Sequence, residues 1–156
     1  MITIMRPSVK MAMRFHDIAA SVEDLAEDKW RRDRDQRNVI DIAFRHYLDF
    51  VIVNNAKKHD DEDFDWTALW CIRSSGHYLH IQDRFRKPTN HASHVMTAGS
   101  LYLFDSRLPH WTENGAATLI CAACNFAEKP DTESVHAAFD ARIDLWETQE
   151  AEEREL

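Results

Sequence analysis

Glycine is nearly missing from this chain: three in 156 residues, about 2% against a usual ~7%. They are Gly76, Gly99 and Gly115, and residues 1–75 hold none. Turn-rich architecture is thus excluded from the first half, which reads as helix, and confined to the middle. Basic residues are also short, 19 against 27 acidic, for a formal charge of −8. A dedicated nucleic-acid binder shows the opposite balance, so no duplex nucleic acid is expected as partner. No apolar run approaches the roughly 20 residues of a membrane helix, so no membrane partner is expected either. The opening MITIMRPSVK has no apolar h-region and no small-residue cleavage site. Three cysteines cannot all pair, which suits a reducing compartment. Together these features lead us to expect a cytoplasmic protein.

What is present describes one ordinary globular domain over residues 1–156, with 44% hydrophobic and 29% charged residues. Its expected parts are a helical N-terminal layer over 1–62, a β-barrel over 66–127 and a C-terminal helix over 131–150. A first helix is expected from about His16 to Arg32, with Ile18, Val22 and Leu25 on one stripe and Asp17 as N-cap. The basic stretch Lys29, Arg31, Arg32, Arg34 and Arg37 reads as a solvated helix end. A second helix is expected from about Asp35 to Lys58, on the apolar stripe Val39, Ile40, Ala43, Phe44, Tyr47, Leu48 and Val51. The β-rich run Phe50 to Val53 leaves a break from helix to strand open. His59-Asp60-Asp61-Glu62-Asp63 reads as a charged linker, without the spaced ligands or Gly turn of a calcium loop.

From Trp66 the texture changes. Strands are expected at Trp66–Arg73, His77–Asp83, His91–Thr97, Gly99–Asp105 and Thr118–Phe126, with turns at Ser74-Ser75-Gly76 and Asn114-Gly115. Short strands at this spacing indicate a small β-sandwich or barrel, and the fold class is α+β. After Lys129-Pro130-Asp131, Val135, Phe139, Ile143 and Trp146 fall on one face of a last helix. That helix must dock on something apolar, here or in a possible homodimer. The acidic tail from Glu150 is expected to fray.

Histidine is concentrated where the chemistry is sought: His77, His80, His91, His94 and His110. It is the commonest transition-metal ligand and the natural acid or base near neutral pH. If strands 77–83 and 105–112 meet across a barrel, His80 and His110 can converge on one metal.

The run Gly99-Ser-Leu-Tyr-Leu-Phe-Asp-Ser-Arg-Leu-Pro-His110-Trp-Thr-Glu-Asn114-Gly resembles the second half of a double-stranded β-helix metal site. Gly99, His110 and Asn114 fall at the spacing of cupin motif 2, with Asp105 and Arg107 in place of its Pro and second Gly. The run is also similar to the distal strand of prolyl-hydroxylase-like Fe(II)/2-oxoglutarate oxygenases. The resemblance covers about residues 76–126. It implies a cupin-like jelly roll flanked by N-terminal and C-terminal helices, and a non-haem metal-dependent oxygenase. The cofactor implied is Fe(II) or another divalent metal, with dioxygen and, on the oxygenase pattern, 2-oxoglutarate. The metal would sit on His80 and His110 with Asp83 or Gln82 as third ligand, and Tyr78 or Trp111 would line the substrate side.

The first half departs from both patterns. Cupins carry H-x-H and the oxygenases H-x-D or H-x-E, whereas this chain has His80-Ile81-Gln82-Asp83. An amide is a weak ligand for hard Fe(II), and only a bulge would turn Asp83 inward. The strand after His110 holds no Arg or Lys for a 2-oxoglutarate carboxylate, so Arg84 or Arg107 would have to serve from elsewhere. The alternative function is therefore a metal-free cupin-like binding or interaction protein that has lost the catalytic site. Its substrate or partner, a small molecule or a protein, has no signature in the sequence. Cys121 and Cys124, three apart on an apolar strand, point to opposite faces and read with Cys71 as structural thiols. Trp66, Trp70 and Trp146 read as core, and Trp111, beside His110, as the tryptophan placed to touch a ligand.

Overall fold

A computed structural model describes residues 2–32, 39–44, 48–53, 66–82, 91–113 and 119–155. Their order is β1 (Ile2–Met5), α1 (Val9–Arg32), β2 (Val39–Phe44), β3 (Leu48–Val53), β4 (Trp66–Arg73), β5 (Tyr78–Gln82), β6 (His91–Val95), β7 (Leu101–Asp105), β8 (His110–Glu113), β9 (Leu119–Phe126) and α2 (Thr132–Arg154). Among the described residues there are two antiparallel sheets, a six-stranded one ordered β1-β7-β4-β9-β3-β2 and a three-stranded one ordered β6-β5-β8. The protein is α+β, a small β-sandwich with flanking helices.

The large sheet is apolar on both faces. Toward the helices it presents Ala68, Trp70 and Ile72 of β4, Leu101 and Leu103 of β7, and Ile120, Ala122 and Cys124 of β9. Toward the small sheet it presents Leu69, Cys71, Tyr102, Phe104, Leu119 and Cys121. A strand buried on both sides reads as a continuous apolar run, which is why LWCI and LICAAC show no alternation.

Both helices lie on the first of these faces. Val135, Phe139, Ile143 and Trp146 of α2 are all buried there with Met11 and Ile18 of α1. The Phe139 ring meets Trp70 edge-on, with centroids 6.0 Å apart. Burying a side chain of that size is worth about 1.5–3 kcal/mol. The expected stripe on the C-terminal helix is thus confirmed, and the helix runs on to Arg154, past the fraying expected from Glu150. Polar ties join the two helices along their length. Ser8 Oγ donates to Asp140 Oδ1 at 2.5 Å. Lys10 pairs with Asp144, and Arg14 Nε sits 2.7 Å from Glu147 Oε1.

Two sequence expectations are corrected. The first helix starts at Val9 rather than His16, because Ser8 and not Asp17 is its cap: Ser8 Oγ accepts from Met11 N at 3.1 Å. Asp17 lies inside the helix, paired with Arg14 one turn back at 2.9 Å. The side chains of Val22, Leu25 and the basic stretch lie outside the described residues. The second helix, Asp35–Lys58, is instead a hairpin of β2 and β3, registered from Val39↔Val53 to Phe44↔Leu48. Its β-branched residues prefer an extended backbone, and β3 gains a second neighbour in β9.

Candidate functional site on the two faces of the small sheet

Residues directly opposite in an antiparallel pair share a face, and successive residues alternate. β8 sets Trp111 opposite His80 and His110 opposite Ile81. The two histidines therefore project from opposite faces of the small sheet. Their expected convergence on one ion is not met: β5 and β8 are neighbours in one sheet rather than partners across a barrel, and their register separates the two by one step of the pleat.

The inner face carries Leu79 and Ile81 of β5, which pack with Tyr102, Phe104 and Cys121 of the large sheet. His110 is on this face, 6% exposed, with its ring 5.0 Å from that of Phe104. Its Nδ1 donates to the Leu108 carbonyl at 2.8 Å. A neutral imidazole so held carries its lone pair on Nε2, the tautomer that second-shell hydrogen bonds select in metal-ligating histidines. The turn before it, Ser106 to Pro109, is pinned from outside. Asp105 takes Arg107 in a fork, Oδ1 to Nε at 3.0 Å and Oδ2 to Nη2 at 2.7 Å. The Arg107 hydrogen bonds hold the Asp105 carboxyl below the usual carboxylate range. Arg107 is thus engaged with Asp105 on the exposed turn.

The outer face carries Tyr78, His80 and Gln82 of β5, His91, Ser93 and Val95 of β6, and Trp111 and Glu113 of β8. His80 is 8% exposed although no second layer covers it among the described residues. Its cover is local: Trp111 stacks on it with centroids 5.0 Å apart, and Tyr78 at 6.0 Å. His80 Nδ1 lies 2.5 Å from Ser93 Oγ. Nε2 lies 2.6 Å from Glu113 Oε1, an ion-pair contact off the ring N–H direction. Both nitrogens thus have neighbours within the chain, and neither suits the expected metal. Gln82, on this same face, is no third ligand beside His110 either. Tyr78 and Trp111 line His80 and not the surroundings of His110. Asp83 and Arg84 lie outside the described residues.

His77, expected to begin a strand, is instead fully buried in the turn before it, where its Nδ1 accepts from Ser75 N at 3.3 Å. Gly76 takes φ +87° there, which only glycine adopts at little cost. The three cysteines are buried thiols, as expected of structural ones. Cys71 and Cys121 stand directly opposite on β4 and β9. Cys71 and burial push the Cys121 thiol well above the ordinary thiol range. Cys124, on the other face, meets Arg142 Nη1 at 2.5 Å.

One signal was passed over in reading the sequence: His59-Asp60-Asp61 is an H-x-D, although it also fits a charged linker. It lies outside the described residues. Among the described residues no group of three His, Cys, Asp or Glu side chains is placed to hold a metal ion. Among them, too, no helix is long and apolar enough to cross a membrane. No protein-family model matches the chain, and neither does any curated protein.

Proposed function

We propose that the chain is a non-haem metal-dependent oxygenase of the double-stranded β-helix type, with its metal on the inner face of the small sheet. The observation that carries this reading is the nesting of strand pairs. β5 pairs with β6, β4 with β7, and β3 with β9. Such nesting is what a long antiparallel hairpin rolled over two sheets would give, and β8 falls between the second and third of these pairs. In such a series the counterpart of β8 in sequence is the stretch between β3 and β4, which contains His59 and Asp61.

His110 would be one ligand, buried on β8 with its Nδ1 proton committed to Leu108. His59 and Asp61 would be the others, an assignment that rests on the nesting and the H-x-D pattern. Residues two apart on an extended chain share a face. Two imidazoles and one carboxylate make the facial triad suited to Fe(II), with open positions where dioxygen is activated. The work of the chain itself is to fix the His110 tautomer through Leu108 and to exclude water with Phe104 and Ile81. β9 carries no basic residue, so 2-oxoglutarate is not proposed as a required cosubstrate.

The test is metal binding by the full chain, purified without tags or chelators. Near-stoichiometric Fe(II) or Mn(II) is expected. His110→Ala, His59→Ala and Asp61→Ala should each lose it with melting temperature retained, and His80→Ala should keep it. Absence of metal after reconstitution would favour the metal-free binding protein, the reading to which the missing basic residue on β9 also points.

A further inference from the structure

We propose that the outer face of the small sheet is a second site, a serine-based acyl-transfer centre for small esters, with Ser93 as nucleophile and His80 as its base. Register sets Ser93 of β6 directly opposite His80, and Glu113 of β8 lies one pair along on the same face, opposite Tyr78. The Ser93 hydroxyl is 2.5 Å from His80 Nδ1, and the Glu113 carboxylate is 2.6 Å from Nε2. Glu113 stands beside Nε2 but off the ring N–H direction, so it is the negative charge and not a hydrogen bond that favours the proton there. Nδ1 is then left with the lone pair and accepts from Ser93. Proton on one ring nitrogen and nucleophile on the other is the arrangement a general base requires. Glu113 is a positioning residue, which also stabilises the imidazolium as it forms.

Exposure is divided as this chemistry demands. His80 is 8% exposed, clamped between the rings of Trp111 and Tyr78, while Ser93 faces solvent. Beside Ser93 on the same face is a small apolar patch. Tyr78 and Val95 are directly opposite in register, 39% and 51% exposed. Their exposed parts offer a surface to the acyl or aryl group of an ester. Trp111 and His91, with ring centroids 6.0 Å apart, bound the other side of His80.

The reaction balances with water as the only co-reactant. Ser93 Oγ attacks the ester carbonyl carbon and forms a C–O bond, as its proton passes to His80 Nδ1. The tetrahedral adduct collapses, the ester C–O bond breaks, and the leaving alcohol takes the proton from His80. Water then attacks the acyl-serine and gives its proton to His80. Collapse returns that proton to Ser93 Oγ and releases the carboxylic acid. This site is separate from the proposed metal centre and needs no metal.

The experiment uses the full chain with p-nitrophenyl acetate, and a fluorophosphonate probe read by peptide mass spectrometry. Hydrolysis above that of equimolar free imidazole is expected, with the probe on Ser93. Ser93→Ala and His80→Ala should each lower the rate by about 10²–10⁴-fold, the usual contribution of a positioned base. Glu113→Gln should leave Ser93 in place but move the pH profile of the rate, which a merely structural residue would not do. Chelator should change nothing. A Ser93→Ala variant as active as the parent, a probe found elsewhere or nowhere, or activity abolished by chelator would each overturn the proposal. Because Ser93 is exposed, its alanine variant tests the chemistry without testing the fold.

Discussion

The inner face of the small sheet buries Leu79, Ile81 and His110 against another sheet, whereas on its outer face the described rings stacked on His80 are those of its own neighbours, Tyr78 and Trp111. Both histidines are more than nine-tenths buried, yet by different means. His110 is enclosed by tertiary packing, and its Nδ1 is anchored on a backbone carbonyl. His80 is enclosed by cross-strand stacking, and its described polar neighbours are side chains with exposed ends. The difference teaches that burial alone does not identify a site. The face decides whether an imidazole meets a closed interior or a reactive surface, and one step of strand register decides the face.

The comparison can be broken from several directions. The largest effect is expected behind both faces, in the helix layer that backs the large sheet. Phe139→Ala should cost about 3–5 kcal/mol in chemical denaturation, since the cavity left beside Trp70 cannot collapse freely. Truncation after Pro130 should do more, without touching His80 or His110. An unchanged melting temperature after that truncation would show α2 to be an appendage. Next in size is the contrast within the small sheet itself. Ile81→Ala, on the inner face, should cost about 2–5 kcal/mol. Val95→Ala, on the outer face, should stay within about 0.5 kcal/mol, as exposed substitutions do. Equal costs would mean that the outer face is covered in solution.

A small effect is expected at the turn that delivers His110. Arg107 depresses the pKa of Asp105, so this contribution is complete above the unfolded carboxylate value of about 4. It is lost as pH falls through the lower folded value. The stability difference between the parent and Asp105→Asn should therefore shrink on acidification from about pH 5 toward pH 2. Solvent screening keeps the whole effect under about 1 kcal/mol. A difference that is flat over that range would remove the fork as a support of the turn.

Much of this layout was legible in the sequence, for identifiable reasons. β4 matches the run Trp66–Arg73, and β9 matches the run to Phe126 over its described residues, because doubly buried strands are long apolar runs between turn residues. α2 was legible because Val135, Phe139, Ile143 and Trp146 keep helical spacing. β2 and β3 were not, since an apolar stripe can be drawn through Val39 to Val51 at either period, and pairing of β3 with β9 decides the matter. The pairing of His80 with Ser93 and Glu113 was illegible for a deeper reason. It depends on which strands become neighbours and in which register, and nothing within residues 78–82 specifies either. His59-x-Asp61 was legible as a pattern, but its adjacency to a charged run invited the reading of a solvated linker.

The proposed function assigns metal to His110 on the inner face and not to His80 on the outer one. Long-range ¹H–¹⁵N spectra of the histidine rings in the full chain, recorded during titration with Zn(II) as a diamagnetic probe, separate the two. His110 Nε2 is expected to shift at stoichiometric metal while its Nδ1 stays protonated and the His80 ring signals do not move. A shift of His80 in place of His110, or no shift of either ring, would contradict it.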